Sequence, residues 1–184
     1  MLSLPNSVVL IGFKHTGKSA IGKDLARKLN VPFSDVDQLI ESLYESKCRE
    51  KSTCRQIVRK MGEPFFRHLE RDALSQAVTL KPSVISLGGG APMNVKNQNM
   101  IKPFIVVHVT APKHIVLERI YASGQPAFLS PEENLLVTFN RIWNEREPVY
   151  EKIRSFTVEN KGMIDRAVDD AIEKIKAFKG PIND

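Results

Sequence analysis

An α/β fold built on a largely parallel, five-stranded sheet is predicted by two features of the sequence. Short β-rich apolar runs alternate with longer stretches whose apolar residues recur every three or four positions. A glycine-rich loop joins the first run to the first of those stretches. The first strand is read at Val8 to Ile11, a β-branched run without polar alternation. Ile21, Leu25 and Leu29 then place an apolar stripe on a helix. A second strand spans Pro32 to Asp35, Leu69, Ala73 and Ala77 stripe a later helix, and further strands fall at Val84 to Leu87 and Phe104 to Val109. Gly and Pro are dense from Ala122 through Gly124, Gln125 and Pro126 to Pro131, which predicts a flexible excursion long enough to cover a site. Phe139 and Trp143, four apart, read as a helix packing face ahead of the last strand, Arg154 to Val158. From Gly162 to Phe178 the stripe of Ile164, Val168, Ile172 and Ile175 predicts a closing helix.

The chain of 184 residues is 42% hydrophobic and 26% charged, which excludes collagenous and disordered classes and supports a core without metal or disulfide staples. One domain over residues 1–184 is the expectation at this length. Cys48 and Cys54 lack metal-ligand spacing and are too few for a disulfide scaffold, so both read as inert thiols in a reducing compartment. The apolar run at Ile105 to Val109 is interrupted by His108, and the N-terminal one is broken at Pro5 and Asn6. Neither a membrane span nor a leader is predicted, and the expected location is cytoplasmic. The net charge of +6 is spread along the chain rather than gathered in an arm, which favours a small anionic ligand over nucleic acid. His15, His68, His108 and His114 fall in unrelated positions and suggest neither zinc nor a nucleophile relay.

The ligand class is read from Gly12-Phe13-Lys14-His15-Thr16-Gly17-Lys18-Ser19, which fits the phosphate-loop pattern. Backbone N–H groups of such a loop wrap nucleotide phosphates, the Lys18 position reaches the outer phosphates and the Ser19 hydroxyl ligates Mg²⁺. Gly12 and Gly17 permit backbone conformations that a Cβ would obstruct, and the helix beginning near Gly17 turns its free amides toward the anion. Gly12 and Lys14 through Ala20 are therefore the expected nucleotide contacts. No segment reads guanine, so ATP is favoured.

Three further segments carry chemistry. Asp35 and Asp37 end the second strand, where alternation would aim both at the ligand crevice of an open sheet. One would help hold hydrated Mg²⁺ and the other would accept a hydroxyl proton, with a helix N-cap as the competing role for Asp37. Gly88-Gly89-Gly90 after the third strand would let backbone approach a ligand, or form a plain turn. Arg67 and Glu70 share a helix face, so Glu70 would orient Arg67 toward a substrate carboxylate; a surface ion pair is the competing reading.

Taken together, the phosphate loop, Asp35-Val36-Asp37, Gly62-Glu63 with Phe66-Arg67 and Glu70, Ser86-Leu87-Gly88-Gly89-Gly90, and Arg146-Glu147-Pro148-Val149-Tyr150 resemble the shikimate kinase family over nearly the whole chain. The resemblance implies a P-loop kinase fold of the nucleoside-monophosphate-kinase type, with a mobile substrate-binding region at about 36–63 and a lid at about 120–133. It implies a monomer that phosphorylates the 3-hydroxyl of shikimate from ATP with Mg²⁺, in the synthesis of chorismate and aromatic amino acids. Asp37 would hold the substrate hydroxyls and act as base, Arg67 and Arg146 would grip the carboxylate, and Gly89 and Gly90 would contact the ring. Lys18 would bind the transferring phosphoryl group, Ser19 and, through water, Asp35 would hold the metal ion, and Arg119 would stack on adenine or lie exposed on its helix.

One position departs from the family's pattern. Its lid carries an Arg immediately before a Pro; here the pair is Gln125-Pro126. Compensating charge from Lys14 or Arg119, slow catalysis and a different acceptor remain open, with Lys14 preferred because it lies inside the phosphate loop. The alternatives are another small-molecule P-loop kinase, such as one for gluconate, and a nucleotide-binding protein with reduced catalysis.

Overall fold

Strand β1 (Val8–Ile11) is fully buried along its length. Such a strand needs partners on both edges and cover on both faces. The structure, a computed structural model describing residues 6–80, 82–123 and 134–178, supplies them. Parallel pairing joins β1 to β3 (Val84–Ser86) on one side and β4 (Ile105–Thr110) on the other. With β2 (Phe33–Asp35) and β5 (Phe156–Glu159) at the edges, the order is β2-β3-β1-β4-β5. All five expected strands are present, within two residues of their predicted ends.

Alternation along β1 divides the core in two. Val8 and Leu10 face α1 (Lys18–Leu29) and α8 (Ile164–Ala177), packing with Ile21, Leu25, Val168 and Ile175. Val9 and Ile11 face the opposite layer, formed by α2 (Val36–Cys48), α3 (Cys54–Met61), α4 (Glu63–Ala77), α5 (Val95–Ile101), α6 (Lys113–Ser123) and α7 (Leu135–Ile153). The stripe Leu69, Ala73 and Ala77 belongs to this second layer, and so do Phe139 and Trp143.

This topology fixes where a ligand sits. The chain leaves β1 toward β2 on one side and leaves β3 toward β4 on the other, so a crevice opens at the C-terminal ends of β1 and β3. The glycine loop follows β1 there, and the three-glycine turn follows β3.

Phe13, inside the loop, is 1% exposed and anchors it. Its ring meets Phe139 edge-on at 5.3 Å and lies 5.1 Å from Trp143. Aromatic pairs at these separations contribute beyond their buried area. Phe139→Ala should therefore lower unfolding stability by about 3–5 kcal/mol, measured as a shift of the urea midpoint with an unchanged slope.

Candidate active site

The glycine loop owes its shape to two positive-φ residues. Gly12, at φ 139°, would place a Cβ 2.2 Å from the Val109 carbonyl oxygen, and Gly17, at φ 96°, would place one 2.4 Å from Asn160 Nδ2. Only glycine fits either position. Internal bonds hold the loop closed: Thr16 Oγ1 donates to the Phe13 carbonyl at 2.9 Å, and buried Asn160 donates to the Thr16 carbonyl at 2.9 Å. Arg119, from α6, donates to the His15 carbonyl at 2.9 Å, and His15 itself adopts φ 65° with its Nε2 3.2 Å from Ser123 Oγ. Arg119 is thus docked on the back of the loop rather than lying free on its helix. Burial, with Lys14, Lys18 and Arg119 nearby, holds the His15 imidazole below its ordinary range.

α1 begins directly after Gly17 with no side-chain cap, leaving its first amides turned to the crevice. Lys18 is 7% exposed and donates to the Phe13 carbonyl at 2.7 Å. Burial lowers its pKa to about 8, against the opposing pull of Asp37 and Asp35. Ser19 Oγ donates to Asp35 Oδ2 at 2.6 Å. Lys14 and Ala20 are exposed, and Lys14 borders the neighbouring cleft.

Asp35 and Asp37 are placed by a different device from strand alternation. β2 ends at Asp35, which caps α2 by accepting from the Asp37 N–H at 3.0 Å. The N-cap is therefore Asp35, and Asp37 lies in the first helical turn. Its carboxylate meets solvent in a recess where surrounding protein atoms, then the Asp35 charge, raise its pKa. Such a carboxylate is a stronger base than an ordinary one.

Beyond the phosphate loop lies a cleft of about 230 Å³ bounded by Lys14, Asp37, Arg67, Arg146 and the three-glycine turn. Each glycine touches a different group. A Cβ on Gly88 would stand 2.7 Å from Asp37 Oδ1, one on Gly89 would stand 3.3 Å from the Lys14 N and 3.4 Å from an Arg146 nitrogen, and one on Gly90 would stand 2.8 Å from Arg67. Arg67 and Arg146 therefore converge on adjacent glycines. Arg67 is held by Glu70 at 2.9 and 3.1 Å and by Glu63 at 3.1 Å. Glu70 is 2% exposed, so this is a buried orienting pair and not a surface one. Arg146 lies 5.8 Å over the Phe13 ring, and Tyr150, one turn on, donates to the Gly89 carbonyl at 2.5 Å.

The same cleft is lined by Cys54, Arg55, Val58, Glu63 and Phe66, to which sequence reasoning gave no role of their own. The capping box Thr53–Gln56 that starts α3, and Gly62 at φ 80° between α3 and α4, are the local signals that would have turned this face inward. Burial pushes the Cys54 thiol well above the ordinary range, which keeps it protonated and inert. His108 likewise differs from expectation, because β4 and α7 bring it beside Glu147 and Glu151. Gln125 and Pro126, and most of the excursion expected to form a lid, lie outside the described residues.

A phosphate loop facing a cationic acceptor cleft across the mouth of a parallel sheet defines a P-loop small-molecule phosphotransferase. Comparison with known proteins agrees. A family model described as shikimate kinase matches residues 15–176. The shikimate kinase of Syntrophus aciditrophicus is 35% identical over 156 residues, covering 78% of this chain and 77% of that protein. That of Sulfurihydrogenibium sp. is 32% identical over 172 residues, covering 92% and 98%. Among solved structures, shikimate kinase from Acinetobacter baumannii in complex with shikimate superposes with a TM-score of 0.83 at 28% identity, over 96% of each chain. A gluconokinase from Sinorhizobium meliloti, at TM-score 0.59 and 14% identity over 96% of this chain and 94% of its own, shares the fold alone. The chain belongs to the shikimate kinase family.

The low pKa of Lys18 gives a signed prediction. Phosphates bound beside it favour the ammonium form, so between about pH 8 and the ordinary lysine value near 10.5 binding must take up a proton. ATP affinity should fall as pH rises above about 8, with net proton uptake seen calorimetrically in buffers of different ionisation enthalpy.

Proposed function

We propose that this protein transfers the γ-phosphoryl group of ATP to the 3-hydroxyl of shikimate. The observation that carries the reading is the convergence of Arg67 and Arg146 on Gly89 and Gly90 with Asp37 against Gly88. Two guanidinium groups beside one carboxylate on a single turn of backbone suit a small ring that carries a carboxylate and hydroxyls. The family relationship and the neighbour solved with shikimate support the same acceptor.

In this mechanism the loop amides and Lys18 hold the outer phosphates, and Arg67, fixed by Glu70, forms with Arg146 the grip on the acceptor carboxylate. Asp37 accepts the hydroxyl proton as the oxygen attacks the γ-phosphorus; the bond to the β-phosphate oxygen breaks and ADP leaves. Lys14, exposed at the cleft, supplies positive charge to the transferring group, in place of the family's lid Arg where this sequence has Gln125. Ser19 and Asp35 present hard oxygen donors side by side at the mouth and fit Mg²⁺. When bound, that ion neutralises charge on the phosphates. Residues 36–63 form the acceptor-binding region of a single kinase domain, since Asp37, Cys54, Val58 and Glu63 all line the cleft.

The protein acts as a monomer in this reading, and free Cys48 and Cys54 suit a reducing cytoplasm. Among the described residues no helix is long and apolar enough to cross a membrane. Shikimate, rather than nucleic acid, accounts for the cationic lining.

The direct test is ADP release with Mg²⁺-ATP in the presence of shikimate, gluconate or no acceptor. Stimulation by shikimate alone is expected, and equal rates in all three would refute the reading. Asp37→Asn should lower kcat by about 10²–10⁴. It should also remove the acid limb of the wild-type pH–rate profile, which lies above the ordinary aspartate range because the Asp37 pKa is raised.

A further inference from the structure

His108, on β4, is 1% exposed and takes no part in the site described above. Its Cδ2 lies 3.3 Å from the point where a Cβ on Gly12 would stand, and its ring lies 5.2 Å from that of Tyr150, tilted by 40°. It therefore sits between the phosphate loop and the acceptor-binding end of α7. Its two nitrogens face different carboxylates of that helix. Nδ1 is 3.3 Å from Glu151 Oε1, and Nε2 is 3.7 Å from Glu147 Oε1. Glu147 directly follows Arg146, and Glu151 directly follows Tyr150. Glu147 Oε2 is buried with no hydrogen-bond partner among the described residues.

This arrangement suits protons better than a metal ion. One ligand atom from each of the three lies within 4.8 Å of the others, but each ring nitrogen has a carboxylate of its own, a pairing that ring N–H groups serve directly. We propose that His108 is a positioning residue for acceptor binding: bridging Glu147 and Glu151, it fixes against β4 the turn of α7 that aims Arg146 and Tyr150 at Gly89. The inference rests on shikimate being the acceptor.

The charged groups around the ring are Glu147 and Glu151 from α7, Arg154 beyond the end of α7, and Lys18 from α1; Lys113 from α6 acts on Glu147. Glu151 is hydrogen-bonded to Arg154, which keeps its carboxyl below the ordinary range and ionised. Burial holds His108 below the imidazole range, while burial and the Glu151 charge lift Glu147 above the carboxylate range. A proton on either group, the ring or the carboxyl, makes the 3.7 Å Nε2 contact favourable. With that proton present the contact attracts; without it a lone pair faces a carboxylate. Acceptor affinity should therefore fall as pH rises and that proton is lost.

The test is the shikimate dissociation constant from about pH 5 to pH 8, the span in which histidine changes charge, for wild type, Glu147→Gln and His108→Phe. The Gln amide donates permanently to Nε2, so Glu147→Gln should keep tight binding and lose the pH dependence. His108→Phe keeps a ring but no donor, and should weaken binding about tenfold, the loss of one buried hydrogen bond, with kcat little changed. If wild type binds shikimate and all three proteins share one affinity and one pH profile, the positioning role is wrong. If wild type binds no shikimate, the proposed function itself fails and this inference fails with it.

Discussion

Three successive α-carbons without a Cβ hold this active site together. At Gly88, Gly89 and Gly90 the backbone passes close enough to Asp37, to the Lys14 N–H and Arg146, and to Arg67 that a methyl group at any of the three would meet its neighbour at 3.4 Å or less. The Asp37 carboxylate, the phosphate loop and the two guanidinium groups come from β2–α2, β1–α1, α4 and α7, and they meet only because this turn occupies so little space. The strand order puts the turn beside the phosphate loop, since β3 pairs directly with β1 and both open at the same end.

The charges gathered there are costly to bury and are arranged so that each is answered. Lys18 lies under the opposing influence of Asp35 and Asp37, and Glu70, almost fully buried, is satisfied by both arms of its contact with Arg67. Removing one partner of such a pair leaves an uncompensated buried charge, which makes the set a unit rather than a sum of contacts. Anchoring comes from apolar packing. Phe13 carries the loop into the core beside Phe139 and Trp143, and the same ring lies under Arg146, so the phosphate loop and Arg146 share one support.

Much of this was legible in the sequence because the signals are local. Val8 to Ile11, the phosphate loop and the apolar stripes of α1, α4 and α8 each satisfy a short-range rule, and the ordered set of motifs indicates the family. Strand alternation would give Asp35 and Asp37 a shared direction, yet the chain turns into a helix at Val36, leaving Asp35 as its N-cap and Asp37 in its first turn. Taken alone, Arg67 with Glu70 reads better as a surface pair, because sequence spacing carries no information about burial. Arg55 and Cys54 on the cleft wall, and His108 between two glutamates forty residues away in sequence, depend on contacts between distant elements.

The central claim is that the Arg67–Arg146 pair recognises the acceptor through its carboxylate. It is tested most directly by a thermodynamic cycle comparing shikimate with its methyl ester, in wild type and in Arg146→Met. The account predicts that esterification lowers kcat/KM in wild type by about tenfold to a hundredfold, the worth of a hydrogen bond to a charged group, and that this penalty largely disappears in the variant. Equal penalties in both proteins would show that Arg146 does not meet the carboxylate.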